Sequence, residues 1–303
     1  MSDERKDRLD WRAVVLLLGC CAVWGLAQVA AKVSLAEVPP LTQGGLRSLG
    51  AALLLALWAR ARGLPLWQRD GSARAGLLLG VLFAAEFACL FIGLQFTSAS
   101  RMVVFLYCSP FVVALLMPFL ARSERLDRVQ VLGLVVAFVG VVVTYSEGFD
   151  SSATAGSLQW LGDTLGLAGA VLWALTTLAL RASVLARALP EKTVLYQLVV
   201  SAVALGLAAP LAGEAWPAQI GTVTWWGLGF QTVVVTFASY LVWFWLVRHY
   251  PATRISAFTL LTPVFGLLAG VVLLGEPATA RLLLGLVAVC AGIALVNRTP
   301  RAT

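Results

Sequence analysis

Apolar positions in this chain run in long unbroken blocks, without the one-sided periodicity of helices or strands that bury a single face. No Asp, Glu, Lys or Arg occurs in 13–31, 102–121, 193–213, 215–247 or 255–275. A helix rises about 1.5 Å per residue and the hydrocarbon core of a bilayer is about 30 Å thick, so blocks of this length suffice to cross it. Spans drawn at 13–34, 39–59, 75–95, 101–121, 129–146, 161–181, 192–212, 222–247, 253–274 and 278–297 predict ten transmembrane helices.

Composition agrees and narrows the class. Of 303 residues, 60% are hydrophobic and 12% charged, about half the charge of an ordinary soluble domain. The net charge of +7 raises the question of nucleic acid, which its distribution answers. With the N-terminus inside, 18 of the 22 Lys and Arg fall at cytoplasmic ends. Lys32, Arg101 and Arg281 fall outside, and Arg47 lies within a span. This positive-inside bias predicts a multi-pass protein of the plasma (inner) membrane with both termini cytoplasmic. A nucleic-acid partner is not expected; the partners are the lipid bilayer and a small molecule, with a homodimer left open. Cys20, Cys21, Cys89, Cys108 and Cys290 lie in spans and read as apolar filler. The first apolar block is long enough to span, so it is not expected to be a cleaved signal.

Self-comparison divides the chain in two. Trp24-Gly25-Leu26 and Lys32 recur as Trp173-Ala174-Leu175 and Arg181. Ser100-Arg101, Phe105 and Ser109-Pro110 recur as Thr253-Arg254, Phe258 and Thr262-Pro263, and Glu124, Gly133 and Gly140 as Glu276, Gly285 and Gly292. The expected organisation is a cytoplasmic tail (1–12), a five-helix repeat (13–146), an external linker (147–160), a second repeat (161–297) and a C-terminal tail (298–303). Five is odd, so the second repeat enters the membrane from the opposite side. Such inverted repeats exchange conformations and hold ligands near the midplane, a signature of transporters.

The set Tyr240…Arg254…Leu261-Thr262-Pro263…Leu274-Gly275-Glu276…Gly285…Gly292 resembles the second repeat of EamA-type transporters in the drug/metabolite transporter superfamily. Trp24-Gly25, Arg47, Thr97-Ser98-Ala99-Ser100, Ser109-Pro110 and Glu124…Gly133 extend the resemblance to the first repeat. Arg122-Ser123-Glu124 departs from the pattern kept at Leu274-Gly275-Glu276. The resemblance implies a ten-helix exporter of small metabolites or drugs working by alternating access, with its cavity built from the first four helices of each repeat.

Few polar residues lie inside the spans, and they are the candidate site. Glu86 sits twelve residues into the third span; an acid at that depth faces a cavity or a partner. It is the proton-coupling and substrate-binding candidate, the alternative being a structural acid against Arg47 or a glutamine. Trp24, Gln28 and Lys32 share a helix face at i, i+4 and i+8, and Trp173, Thr177 and Arg181 repeat that face. An aromatic plate beside an amide or hydroxyl suits a small amphipathic solute. Phe105 and Tyr107, Phe258 and Thr262, and Tyr240 are further wall candidates. Pro110 and Pro263 sit inside the fourth and ninth spans as hinge candidates or static bends.

Enzymatic machinery is missing. There is one histidine, His249, no cluster suited to a metal and no phosphate-binding loop. No cofactor and no catalytic residue are expected. The expected protein is an all-α secondary transporter exporting amino acids or similar solutes. Sugar-phosphate or nucleotide-sugar exchange, or a non-transporting membrane scaffold, are the alternatives.

Overall fold

The computed structural model describes residues 10–66, 68, 70–120, 128–146, 158–250 and 259–296. Among them there is no strand. The helices are α1 (Trp11–Ser34), α2 (Pro40–Ala61), α3 (Ala73–Gly93), α4 (Ala99–Leu106), α5 (Ser109–Leu120) and α6 (Arg128–Ser146). They are followed by α7 (Gln159–Arg181), α8 (Pro190–Leu211), α9 (Thr222–Gly229), α10 (Ser239–His249), α11 (Thr262–Leu274) and α12 (Ala280–Val296). A π-helical stretch, Phe230–Ala238, joins α9 to α10. Among the described residues, six stretches are long and apolar enough to cross a membrane: α1, α3, α6, α7, α8 and Thr222–Trp243.

Polarity is inverted relative to a soluble domain. Leu211 and Val272 are 88% and 75% exposed, while Arg47, Glu86 and Asp163 retain only 4%, 7% and 0%. An outer surface of leucine and valine around an ion-bearing interior is stable in lipid and unstable in water. This is a multi-pass membrane protein.

Local sequence sets the helix ends. The Asp10 carboxylate caps α1 by accepting from Ala13 N at 2.9 Å. Pro40 and Pro190 occupy first turns, where a missing N–H costs nothing. Two caps come from far along the chain. Glu214, beyond α8, accepts from Leu41 N (2.9 Å), Thr42 N (2.8 Å) and Thr42 Oγ1 (2.8 Å) at the start of α2. Glu276 accepts from Ala99 N (2.7 Å), Ser100 N (2.9 Å) and Ser100 Oγ (2.6 Å) at the start of α4. Gly275 makes that second reach feasible: its φ of +65° ends α11 in a left-handed turn that returns Glu276 toward α4.

The fourth span differs from the single, proline-bent helix expected at 101–121. It breaks at Tyr107–Cys108, and Pro110 is the second residue of α5 rather than an interior kink. Pro263 is likewise the second residue of α11, after a 3-10 turn at Thr259–Leu261. Proline clashes with the preceding helical turn and is accepted in a first turn, so the chain starts new helices there.

Glycines govern the closest packing. On α6 and α12, a Cβ on Gly140 would fall 2.6 Å from Ala288 Cβ, and one on Gly292 would fall 2.6 Å from Gly133 O. α2 packs against α8, α3 against α7 and α8, and α1 against α11. The largest apolar core lies between α2, α3 and α8.

A buried polar centre around Arg47

A buried cation is carried by α2. Gly44 and Gly45 face α8 closely, with Leu205 and Gly206 beside them, and Gly50 faces Thr232. These small positions seat α2 deep in the bundle and bury Arg47. Its guanidinium lies 3.7 Å from the Phe87 ring centroid and 5.5 Å from that of Phe91, both on α3. Phe83, Phe87 and Phe91 recur every fourth residue and form one aromatic ladder, with successive centroids 4.6 and 6.0 Å apart. Cation–π attraction holds the plane of the guanidinium and leaves its edge available. Two nitrogens of that edge, Nε and Nη2, have no hydrogen-bond partner.

α1 and the π-helical stretch close the site from the other side. Gln231 Nε2 donates to Gln43 Oε1 (3.1 Å), and Gln43 Nε2 donates to Ala31 O (3.3 Å). These two amides satisfy each other and the backbone. Gln28 is different: its Oε1 is buried without a partner. Gln28, Arg47, Phe87, Phe91, Gln231 and Val235 line a cavity of about 20 Å³. Glu86 and Tyr240 lie near Arg47. The arrangement supplies two donors and one acceptor around a small void with aromatic walls.

The other candidates fall in three places. Trp24 Nε1 donates to Ser239 Oγ at 2.8 Å, and its ring meets Trp243 edge-on at 5.3 Å. It therefore bridges α1 to α10 one turn from Gln28. Tyr107 is buried and meets Trp173 edge-on at 5.9 Å. Thr262 is fully buried, with Cys21 and Tyr107 beside it. Trp173 itself is 38% exposed, and the Thr177 hydroxyl turns back to Trp173 O at 3.0 Å. Phe105 lies apart from the Arg47 cavity, edge-on to Tyr145 at 6.2 Å. Phe258, Arg254 and Glu124 lie outside the described residues.

A second polar cluster joins α4 to α7. Arg101, counted by position among the external cations, is buried and grips Asp163: Nε to Oδ1 at 3.2 Å, Nη2 to Oδ2 at 2.5 Å. Arg101 Nη2 also donates to Thr144 O at 2.7 Å, and Thr97 Oγ1 donates to Asp163 Oδ1 at 2.6 Å. Lys32 donates to Leu94 O at 3.0 Å and to Thr97 O. Asp163 stands in the first turns of its helix, where an acid reads as an interfacial residue. Thr97 precedes the Ser98 cap of α4 and Arg101 lies in its first turn, so no helical spacing in the sequence reports the acid opposite them.

A known family covers this architecture twice. The profile of the EamA-like transporter family matches residues 11–146 and again 160–298. The chain belongs to the EamA-like transporter family. An uncharacterized transporter of Bacillus subtilis is 28% identical over 298 residues, covering 96% of this chain and 93% of its own. A probable amino-acid metabolite efflux pump of Salmonella typhimurium is 29% identical over 304 residues, covering 94% and 97%. Its namesake in Escherichia coli is 27% identical, covering 92% of each. One solved crystal structure superposes with a TM-score of 0.66 at 20% identity, over 94% of this chain and 96% of that one, a likeness of fold. Among the described residues of this EamA-like chain, the Arg47 cavity and the Arg101–Asp163 cluster are buried polar centres to account for.

Proposed function

We propose that this EamA-like protein is a secondary transporter that exports amino acids or similar small amphipathic solutes by alternating access. The observation that carries the reading is the Arg47 cavity: orphaned buried donors and an orphaned acceptor, walled by aromatic rings, deep in an apolar bundle. Orphaned polar groups in a low-dielectric interior are costly unless a ligand or water completes them. The efflux-pump relatives support the substrate class.

The proposed architecture is ten crossings in two inverted five-helix repeats. Here α4 and α5 form one broken crossing, and α9, the π-helical stretch and α10 form another. Helix packing supports it, because contacts recur when the two repeats are exchanged. The first crossing meets the ninth (α1 with α11) as the sixth meets the fourth (α7 with α4 and α5). The third meets the sixth (α3 with α7) as the eighth meets the first, the second meets the seventh, and the fifth meets the tenth. The basic residues support cytoplasmic termini in the plasma membrane. Trp24, Gln28, Glu86 and Tyr240 belong to the substrate site around Arg47, with Tyr107, Thr262, Trp173 and Thr177 toward α7 and α11. The breaks before Pro110 and Pro263 are the proposed hinges.

Counterflow in proteoliposomes tests the reading. The purified full chain is expected to exchange amino acids in preference to aromatic cations or phosphorylated sugars. Exchange confined to phosphorylated sugars would replace the reading. Movement of no solute, together with a stoichiometric partner protein in pulldown, would favour a scaffold. Glu86 is the proposed proton-coupling group: Glu86→Gln is expected to retain exchange and lose stimulation by a proton gradient. Full gradient dependence in that variant sinks the coupling role.

A further inference from the structure

Resting on the export reading above, we infer that Arg47 is the carboxylate-recognition residue of the substrate site and that Gln28 receives the substrate's ammonium group. The chemical class this selects is the zwitterionic α-amino acid with an apolar side chain.

Nε and Nη2 form the side edge of a guanidinium, two parallel N–H donors whose spacing matches the two oxygens of a carboxylate. In Arg47 both lack a partner although the residue is buried. A structural arginine at this depth spends that edge, as Arg101 does with Nε and Nη2 on the carboxylate of Asp163. The two buried arginines thus present the same edge, one filled by a protein carboxylate and one empty. Phe87 stacks on the guanidinium face at 3.7 Å and fixes its plane, a preorganisation that lowers the cost of binding.

The opposite wall supplies the complement. Gln28 Oε1 is a buried acceptor without a donor and lines the same cavity as Arg47. An α-amino acid carries a carboxylate and an ammonium on adjacent carbons, so one molecule can satisfy both orphans. Of the remaining lining, Gln231 spends its amide N–H groups on Ser34 and Gln43, and Ala27, Ala31, Phe87, Leu90, Phe91 and Val235 are apolar. The cavity of about 20 Å³ holds about one water in this conformation. The amino acid therefore enters when α1 and the π-helical stretch part from α2 and α3. In the collapsed state the fork and the acceptor wait at its floor.

The test uses L-leucine and L-phenylalanine, their amides and their des-amino acids as competitors in counterflow with the purified full chain. The amide removes only the carboxylate charge, and the des-amino acid removes only the ammonium. The wild type is expected to favour each acid over its amide by about 10- to 100-fold, the range for charge-assisted hydrogen bonds in a buried site. Arg47→Gln is expected to erase that difference, and Arg47→Lys to keep part of it. Gln28→Leu is expected to erase the preference for amino acids over des-amino acids and to leave the acid-over-amide preference intact. Equal competition by acid and amide in the wild type overturns the assignment without any variant. So does retained acid-over-amide discrimination in a monodisperse Arg47→Gln protein. Exchange of the amides without the acids overturns the Arg47 assignment and leaves transport standing. Exchange of none of the six compounds overturns the amino-acid export reading and this inference with it.

Discussion

At the scale of single residues, burial decides what a charge is worth. Arg101 and Asp163 lie almost fully inside the protein and satisfy each other through two hydrogen bonds. Removing one partner leaves the other charge desolvated and unpaired, which costs about 3–5 kcal/mol. Asp163→Asn and Arg101→Gln are each expected to lose about that much in reversible unfolding in detergent. Replacing both together is expected to lose far less than the sum, and additive losses would show that the pair is not coupled. Asp70 and Lys192 make the contrasting case at the opposite end of the helices, with Lys192 Nζ 2.8 Å from Asp70 Oδ2. The Lys192 ammonium, then the Ser72 hydroxyl and backbone N–H, hold the Asp70 carboxyl well below the usual carboxylate range. A depressed folded-state value means that the contribution is complete above about pH 4, the unfolded value, and fades as the pH falls further. Melting curves from pH 7 to 5 should therefore be indifferent to Asp70→Asn in their slope against pH. A slope that differs between the two proteins in that window would contradict this placement.

At the scale of elements, the sequence is most informative about where helices start and least about what they touch. The charge-free blocks locate the apolar helices well, because spanning length is a property of the chain alone. Glycines seven apart at 133 and 140, and at 285 and 292, announce close packing, and the structure seats those two seams against each other. Pro110 and Pro263 announce an interruption, but whether it is a kink or a new helix depends on the packing of the preceding turn. Glu276 is the instructive case. Its position after Gly275 suggests a cap for the following helix, yet it caps α4, about 177 residues away in sequence. A carboxylate serves whichever helix N-terminus is nearest in space, and no local pattern reports that. Glu276→Ala removes three hydrogen bonds and leaves two N–H groups of α4 unsatisfied, so a loss of about 1–3 kcal/mol is expected. Glu276→Gln keeps one acceptor and should lose less. Equal stability of the alanine variant and the wild type would show that water replaces the cap. Gly292→Ala tests the glycine seam. Its new Cβ would meet the Gly133 carbonyl and Ala137, where backbone must move, and a loss of about 1–3 kcal/mol is expected.

At the scale of the whole molecule, four acidic residues at one end join the first half of the chain to the second. Glu214 holds α2, Glu276 holds α4, Asp163 holds Arg101 and Thr97, and Glu37 accepts from Gly221 N at 2.6 Å. In the proposed topology this is the outward-facing end. If export proceeds by alternating access as proposed, a solute reaches that side only when the halves separate there, and some of these links open once per turnover. None needs large energies to do so, because carboxylates and helix N-termini released into an opening cleft are solvated by water. Thr97 and Asp163 offer a way to hold the cleft shut, since their side chains meet directly at 2.6 Å. In a background without the five free cysteines, Thr97→Cys with Asp163→Cys is expected to be less stable for want of the Arg101 partner and still to exchange solute while reduced. After bridging by a short bifunctional thiol reagent the same protein is expected to stop. A cleavable reagent should restore exchange when cut, which separates locking from damage. The single-cysteine proteins should be indifferent to the reagent. Undiminished exchange by the fully bridged protein would mean that the outer ends of α4 and α7 move as one body. The opening would then lie along α2, where Glu214 holds the helix start.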